Sequence, residues 1–382
     1  MEIVQQKNQF KTSNNKYDSS LGYLRCIAMM QVILVHFFYQ LGIFVGIGTS
    51  ILLFEMPLFF FITGASNFNN YKKPYWKFIT RRLLRIYIPY LLFALVNIIV
   101  LCAVNGFQPM DLLWLLPINF EFAPVAPGLE ACHGVTWWFN IYILILFVIP
   151  FLKKFYDKFI KIGIRIIPLT IFFVIVLVLT FFNFNHNKVV YWFVMIIAYL
   201  FFTYVGAFYQ CYFKELNMRR TLIICLVGFI SLFILVILNS TYSTWDMQSH
   251  KFPTDFIFIL FGIVWLWFFI MFLKWITIAF DALCKIKFFK FFIYNYDRNS
   301  YLIYLGHTFI NAMLIFTLSK VNALDFLLDY QVVYFLIAIV LLYPLSLLSG
   351  YVFYPLELVA TKLNKLILSS KNKSKNLSKQ NQ

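Results

Sequence analysis

The sequence predicts an all-α polytopic integral membrane protein, a helical bundle of about ten transmembrane helices with both termini in the cytoplasm. Hydrophobic residues make up 62% of its 382 residues and charged residues only 12%, about half the share that is typical of soluble domains. Apolar runs of about 18 or more residues recur along the chain, each long enough to cross the hydrocarbon core as a helix. These runs lack the alternation of a membrane β-barrel, so helices are the expected spanning elements.

The distribution of Lys and Arg residues predicts the orientation of the bundle. The spans are predicted at residues 21–41, 49–67, 86–104, 137–152, 164–183, 188–210, 220–239, 254–273, 299–319 and 330–354. The side that holds the N-terminus carries 28 of the 32 basic residues, and the positive-inside rule therefore places both termini in the cytoplasm. The net charge of +17 is then a topological signal, and no nucleic-acid partner is expected.

The chain is predicted to form three segments in a multi-pass plasma membrane protein, with the lipid bilayer as its first partner. Residues 1–20 are a polar cytoplasmic segment, residues 21–358 form the transmembrane domain, and residues 359–382 form a basic, disordered cytoplasmic tail. Six scattered cysteines show no zinc-type spacing and imply no disulfide framework, so no metal site is predicted.

The first span carries two polar residues, Arg25 and His36, on one face. Their separation of eleven residues leaves them about 20° apart around a helix axis and about 16 Å apart along it. Such residues are costly in a span, so both are expected to face the bundle interior or a wet cavity. Two alternatives remain open: Arg25 could extend to the nearby cytoplasmic surface, and His36 could be a buried structural residue.

Glu55, in the second span, lies at a predicted depth close to that of His36. A carboxylate beside His36 would orient the imidazole ring and raise its basicity, as a general base acting on a hydroxyl requires. This pairing rests on depth alone, and Glu55 could instead reach the outer interface.

A basic cluster precedes the third span and includes Arg81, Arg82 and Arg85. Arg82 and Arg85 are three residues apart and project from one helix face, with Arg81 beside them. The guanidinium group of arginine binds phosphate through two parallel hydrogen bonds, so the cluster would suit the phosphates of coenzyme A or a nucleotide. The alternative is a positive-inside anchor that contacts anionic lipid headgroups.

The longer outer loop, residues 105–136, contains no Lys or Arg. It offers carboxylates close to aromatic rings, which a sugar-binding surface would need; the candidate substrate-binding residues are Glu130, His133 and the adjoining Trp137 and Trp138. The alternative is a capping loop with an interfacial aromatic belt.

Five motifs taken together resemble acyltransferase family 3, the transmembrane O-acyltransferases of cell-surface polysaccharides, peptidoglycan and related acceptors. The motifs occur in order along the ten predicted spans: Arg25-x10-His36, the run from Pro57 to Gly64, Arg82-x-x-Arg85 followed by Pro89, Thr136-Trp-Trp-Phe139, and the run from Ser300 to His307. Cys26 stands where relatives often have glycine, and Thr63 stands where serine is common.

The resemblance implies an acyl-CoA donor, usually acetyl-CoA, bound from the cytoplasm, and an acceptor hydroxyl presented outside. It implies that His36 is the essential histidine, that Arg25 is its partner, and that Arg82 and Arg85 hold the donor. No esterase-like domain follows the last span, so the chain would deliver the acyl group itself or transfer it to a separate protein. A bacterial origin is expected.

The expected mechanism places the donor phosphates at Arg82 and Arg85 and the thioester near His36, which takes the proton of the acceptor hydroxyl or is itself transiently acylated. His307 is expected either to line the donor channel or to be structural, and Glu357 is expected to pair with a cytoplasmic base. The competing functions are a glycan exporter or flippase and a non-catalytic scaffold of a polysaccharide synthesis complex.

Overall fold

The computed structural model describes residues 18–40, 50–70, 74–116, 118, 130–159, 162–181, 188–214, 217–242, 246–320 and 331–380. Within these ranges the chain is an all-α bundle without β-strands. Its helices are α1 (Ser19–Gln40), α2 (Glu55–Asn70), α3 (Tyr75–Asn105), α4 (Glu130–Lys158), α5 (Ile162–Phe181), α6 (Lys188–Phe208), α7 (Met218–Tyr242), α8 (Met247–Lys251), α9 (Phe256–Leu283), α10 (Lys287–Arg298), α11 (Ser300–Lys320) and α12 (Gln331–Gln380).

Each of the ten predicted spans overlaps one of these helices. Among the described residues, eight helices are long and apolar enough to cross a membrane: α1, α3, α4, α5, α6 with the π-helical turn that follows it, α7, α9 and α11. The other two predicted spans correspond to α2 and α12. The polytopic helical membrane fold is confirmed, whereas the count of ten spans and the position of the termini stay predictions.

Local sequence signals account for several helix ends. Pro74 precedes α3, where its missing N–H is not needed by the helix, and Gly106 ends it with φ 71°, a left-handed conformation that favours glycine. The Asp255 side chain accepts a hydrogen bond from the Phe258 N–H at 2.9 Å and so caps the start of α9. Glu55 lies in the first turn of α2, where a negative charge is favourable toward the helix dipole.

The centre of the bundle is formed where α2 and α6 approach each other closely. A Cβ atom on Gly64 would lie 1.7 Å from the Thr203 carbonyl oxygen, and one on Gly206 would lie 1.9 Å from the Phe61 carbonyl oxygen. Only glycine therefore permits this backbone contact, which is the packing mode of small residues between membrane helices.

The membrane helices differ strongly in burial. In an 18-residue apolar stretch of each span, 67% of the residues are buried in Ser19–Phe37 and in Lys188–Phe213, against 11% in Gly163–Phe181 and 17% in Met218–Leu238. Because the hydrocarbon tails solvate apolar side chains, helices α5 and α7 need no protein cover on most of their surface. They form the periphery, and α1, α2, α6 and α11 surround the polar residues described below.

The structure corrects three predicted boundaries. Helix α3 begins at Tyr75, so the arginine cluster is helical, and α4 begins at Glu130, so it includes the last part of the predicted outer loop. Helix α12 continues past the predicted span end at residue 354 to Gln380, and the disorder predicted for residues 359–382 stays a prediction. Ala360 is fully buried and the Asn364 side chain donates a hydrogen bond to the Arg81 carbonyl oxygen at 3.2 Å, so packing against α3 stabilises the helix beyond its apolar part.

Candidate active site

A cavity of about 310 Å³ lies between α1, α2, α3, α4, α10, α11 and α12. Four arginines line it, so it is named here the basic cavity: Arg25, Arg82, Arg85 and Arg298. Glu357 and Asp297 are the two acids in its wall. A cavity of this size with several converging polar groups is the usual form of a substrate site.

The mouth of the basic cavity is formed by Arg82, Arg85 and Arg298. The Arg85 side chain is half exposed, so this end of the cavity reaches the surface. Its Nε donates a hydrogen bond to Glu357 Oε1 at 2.6 Å, which confirms the predicted pairing of Glu357 with a base. Arg82 lies over the Phe78 ring at 5.9 Å, and no carboxylate pairs with it in the part of the chain that the structure describes.

Arg81 does not share this position. It is exposed and is not part of the cavity wall, because one residue along a helix turns the side chain by about 100° away from Arg82. Lys72 and Lys73, which belong to the same basic segment, lie outside the described residues.

Arg25 faces the basic cavity rather than the membrane surface. Its Nη1 donates a hydrogen bond to Asp297 Oδ1 at 2.5 Å, and its Nη2 lies 3.4 Å from the Ser66 hydroxyl oxygen. Asp297 belongs to α10, outside the membrane-spanning segments; burial raises the pKa of its carboxyl to about 6, and the charge of Arg298 opposes that rise. An ion pair therefore orients Arg25 in the middle of the cavity wall.

Aromatic side chains close the far end of the basic cavity. Along their helices, the wall residues farthest from the mouth are Met29, Phe59, Trp138 and Tyr304. The rings of Trp138 and Tyr304 lie 5.0 Å apart. His36 is two helical turns, about 10 Å, beyond Met29 on the same face of α1, so the aromatic residues separate it from the cavity.

Two histidines pair directly beyond this aromatic closure. His36 Nδ1 and His307 Nε2 are 2.8 Å apart, and the rings stack with centroids at 5.1 Å. His307 Nδ1 lies 2.5 Å from the Tyr304 carbonyl oxygen, and the side chain is fully buried. His307 therefore contacts His36 and does not line the cavity.

The hydrogen bonds of this histidine pair assign the tautomers. A carbonyl oxygen only accepts, so His307 Nδ1 carries a proton and, in the neutral ring, Nε2 is an acceptor. His36 Nδ1 must then be the donor to His307 Nε2. This leaves the lone pair of His36 Nε2 available, as a general base or a nucleophile requires.

Glu55 does not pair with His36, which corrects the predicted contact. Its Oε1 accepts a hydrogen bond from Lys251 Nζ at 2.6 Å, and both side chains are almost fully buried. Lys251 takes the place beside Glu55 because α8 and the turn after it direct this side chain inward, which its position between two predicted spans does not reveal. An ammonium group satisfies a buried carboxylate better than a neutral imidazole does.

The tryptophans predicted to bind substrate lie in different surroundings. Trp138 lines the basic cavity. Trp137 is buried and its ring lies 5.8 Å from Lys251 Nζ and 5.0 Å from the Phe252 ring. The side chains of Glu130 and His133 lie outside the described residues, so their substrate role stays a prediction.

Three residues of the site were missed from the sequence: Asp297, Arg298 and Lys251. Asp297 is the one acid in the basic segment from Lys285 to Arg298, and a lone acid at the end of an amphipathic helix was a usable signal. Nothing in the sequence around Lys251 indicates that its side chain is buried, because a lysine in an outer loop is normally solvated. Among the described residues, no three His, Cys, Asp or Glu side chains form a group that could hold a metal, and metal independence stays a prediction.

Comparison with known families matches residues 18–355 to acyltransferase family 3, whose model is described as an acyltransferase domain. No curated protein and no solved structure matches the chain. The matched range begins before α1 and ends within α12, and it contains the histidine pair and the arginines of the basic cavity. The chain belongs to acyltransferase family 3 and is a multi-pass membrane acyltransferase.

Proposed function

We propose that this acyltransferase moves an acyl group, by default acetyl, from cytoplasmic acyl-CoA to a hydroxyl of a cell-surface glycan or related acceptor. The observation that carries the proposal is the basic cavity, whose arginine mouth and aromatic far end lead toward the histidine pair. In this proposal the mouth faces the cytoplasm of a bacterial cell and the protein lies in the plasma membrane.

The mouth offers the charge that a nucleotide donor needs. Arg82 and Arg298 lie in the cavity wall, and Arg85 lies beside them with one carboxylate partner, Glu357. The phosphates of coenzyme A would bind these guanidinium groups, since arginine matches phosphate geometry with two parallel hydrogen bonds. The pantetheine arm would extend past Arg25 toward Trp138 and Tyr304, a path comparable to the rise of about 16 Å between Arg25 and His36.

His36 is the proposed general base. Its Nε2 would take the proton of the acceptor hydroxyl as the oxygen forms a bond to the thioester carbonyl carbon. The carbon–sulfur bond then breaks, and the departing thiolate receives the proton, so that the products are the ester and free coenzyme A. His307 is a positioning residue in this step, because its hydrogen bond holds the His36 ring with Nε2 unprotonated.

For the thioester to reach His36, the aromatic closure must open. Trp138 and Tyr304 lie between the basic cavity and the histidine pair, and both contribute side chains to the cavity wall. Side-chain rotation of buried rings is compatible with donor binding, because the arriving acyl arm supplies replacement contacts. The acceptor would approach the histidine pair from the opposite side, directly or through a separate acyl-accepting or polysaccharide synthesis protein.

Calorimetric binding of acetyl-CoA to the detergent-solubilised protein tests the proposal. The Arg82→Ala and the Arg82→Ala/Arg85→Ala proteins are expected to bind acetyl-CoA at least tenfold more weakly than the wild type, since each loses charge-assisted hydrogen bonds. Arg81→Ala is the matched control, because this exposed neighbour has the same charge but is not part of the cavity wall.

Equal weakening by Arg81→Ala would show a non-specific charge effect instead of a donor site. A folded wild-type protein that binds neither acetyl-CoA nor succinyl-CoA would contradict the proposed donor and favour a scaffold or a glycan exporter.

A further inference from the structure

Buried polar residues continue beyond the closed end of the basic cavity on two helices. On α2, Glu55 lies one turn past the wall residue Phe59, and on α11, Asn311 lies one turn past His307. Along α11, Asn311 lies on the side of His307 that faces away from the cavity, and along α2, Glu55 lies beyond the cavity wall. Lys251 reaches the same region from α8, since its ammonium bonds to Glu55.

The ion pair of Glu55 and Lys251 leaves hydrogen-bonding capacity unused. Glu55 Oε2 is buried and has no partner in the described part of the chain, and Lys251 Nζ uses one of its three N–H donors in its bond to Oε1. A buried carboxylate oxygen without a hydrogen bond is costly, so its retention needs an explanation.

Asn311 also has buried polar atoms without hydrogen bonds, but its amide group carries no charge. Its side chain is fully buried, and neither its amide oxygen nor its amide nitrogen has a partner among the described residues. Because residues four apart on a helix share a face, the amide lies next to His307 along α11. The neighbouring Thr308 is different: its hydroxyl donates to the Leu305 carbonyl oxygen at 3.2 Å and is satisfied within the helix.

We propose that Glu55, Lys251 and Asn311, named here the polar layer, form the acceptor subsite and bind an uncharged polyol such as a sugar. The inference rests on the proposed function and adds these residues to it. A hydroxyl group both donates and accepts, so it can donate to Glu55 Oε2 and accept from the Asn311 amide or the free Lys251 donors.

Charge balance favours a neutral acceptor over an anionic one. Glu55 and Lys251 cancel each other's charge, so the polar layer has no net charge to attract an anion. Donor and acceptor would therefore reach the histidine pair from opposite sides, the donor through a basic cavity and the acceptor through a neutral polar layer.

The test measures donor binding and surface acylation with the same set of variants. A strain from which the native gene is deleted is complemented at matched membrane levels with the wild type, Asn311→Leu, Asn311→Ala or the charge-balanced double variant Glu55→Gln/Lys251→Met. Alkali-labile acetate is then measured on the washed cell-surface glycan, and each purified protein is titrated with acetyl-CoA. Thr308→Val is the matched control, because its hydroxyl bonds within its own helix.

The Asn311 variants and the double variant are expected to restore at least tenfold less surface acetate than the wild type while binding acetyl-CoA within about twofold of it. Thr308→Val is expected to restore acetate fully. The Asn311→Ala protein only removes atoms, so it stays informative if the bulkier leucine prevents folding.

Normal surface acetate with both Asn311 variants would overturn the inference and leave the donor proposal intact. A wild-type protein that binds no acetyl-CoA and restores no acetate would instead refute the proposed function, so the two failures are distinguishable.

Discussion

The basic cavity and the polar layer place charged residues in the same bundle by different physical means. In the basic cavity, Arg85 is half exposed and its partner Glu357 lies at the surface end, so water reduces the cost of both charges. In the polar layer, Glu55 and Lys251 are almost fully buried and depend on each other. The first arrangement can exchange its partner for a ligand phosphate, whereas the second is a fixed part of the fold.

The histidine pair adjoins the cavity wall at Tyr304 and lies one helical turn from Asn311, and its removal should have the largest effect. His36→Ala is expected to reduce acyl transfer by about 10²- to 10⁴-fold, the range that general bases contribute, while acetyl-CoA binding is retained. Transfer of radiolabelled acetyl to membranes, measured beside calorimetric binding, checks this. A variant with normal transfer would exclude His36 from the chemistry.

Breaking the buried ion pair of Glu55 and Lys251 should affect stability more than any change at the cavity mouth. Lys251→Met alone leaves the Glu55 carboxylate buried and unpaired, and a loss of about 3–5 kcal/mol in the free energy of unfolding is expected. The double variant Glu55→Gln/Lys251→Met removes both charges and should recover most of that loss. Thermal unfolding in detergent measures both proteins, and equal losses in the single and double variants would contradict a fixed structural pair.

Asp297 sharpens the comparison through pH, because burial raises the pKa of its carboxyl to about 6. Above pH 6 the carboxylate is charged and pairs with Arg25; as pH falls below 6 it protonates and the basic cavity gains positive charge. The polyanionic donor should therefore bind several-fold more tightly at pH 5.5 than at pH 7.5.

Asp297→Asn removes that titration and should bind acetyl-CoA with little dependence on pH beyond that of the donor's own phosphates, which both proteins share. Calorimetric titrations of the wild type and the variant between pH 5.5 and 7.5 compare the two. Identical pH profiles would show that Asp297 does not control the charge of the basic cavity.

The smallest effect is expected at the exposed pair of Arg85 and Glu357. Glu357→Gln should change the free energy of unfolding by less than about 1 kcal/mol, because solvent screens a pair that is half exposed. The freed Arg85 should bind acetyl-CoA as well as before or slightly better. A loss of stability as large as that of Lys251→Met would mean that solvent exposure does not weaken the Arg85–Glu357 pair relative to the buried Glu55–Lys251 pair.

Much of the fold could be read from local patterns. Apolar runs and basic loop residues are properties of short segments, and all ten predicted spans overlap a helix of the structure. The same holds for Arg25 and His36, whose shared helix face follows from their spacing alone. Helix boundaries were less predictable, since α3 and α12 both extend into polar sequence. In these extensions the Asn364 side chain of α12 bonds to the Arg81 backbone of α3, and the two residues are far apart in the chain.

The amino-acid sequence alone predicted the membrane helices, the family, and Arg82 and Arg85 as neighbours on one helix face, since each depends on residue type and spacing along the chain. Which side chains meet was decided by packing. His36 contacts His307, Glu55 contacts Lys251 and Arg25 contacts Asp297. The partners in these pairs are 196 to 272 residues apart in the chain. Depth along a helix is a local quantity, but partner choice in a low-dielectric interior depends on rotation, loop direction and the free energy of burying every competing charge together.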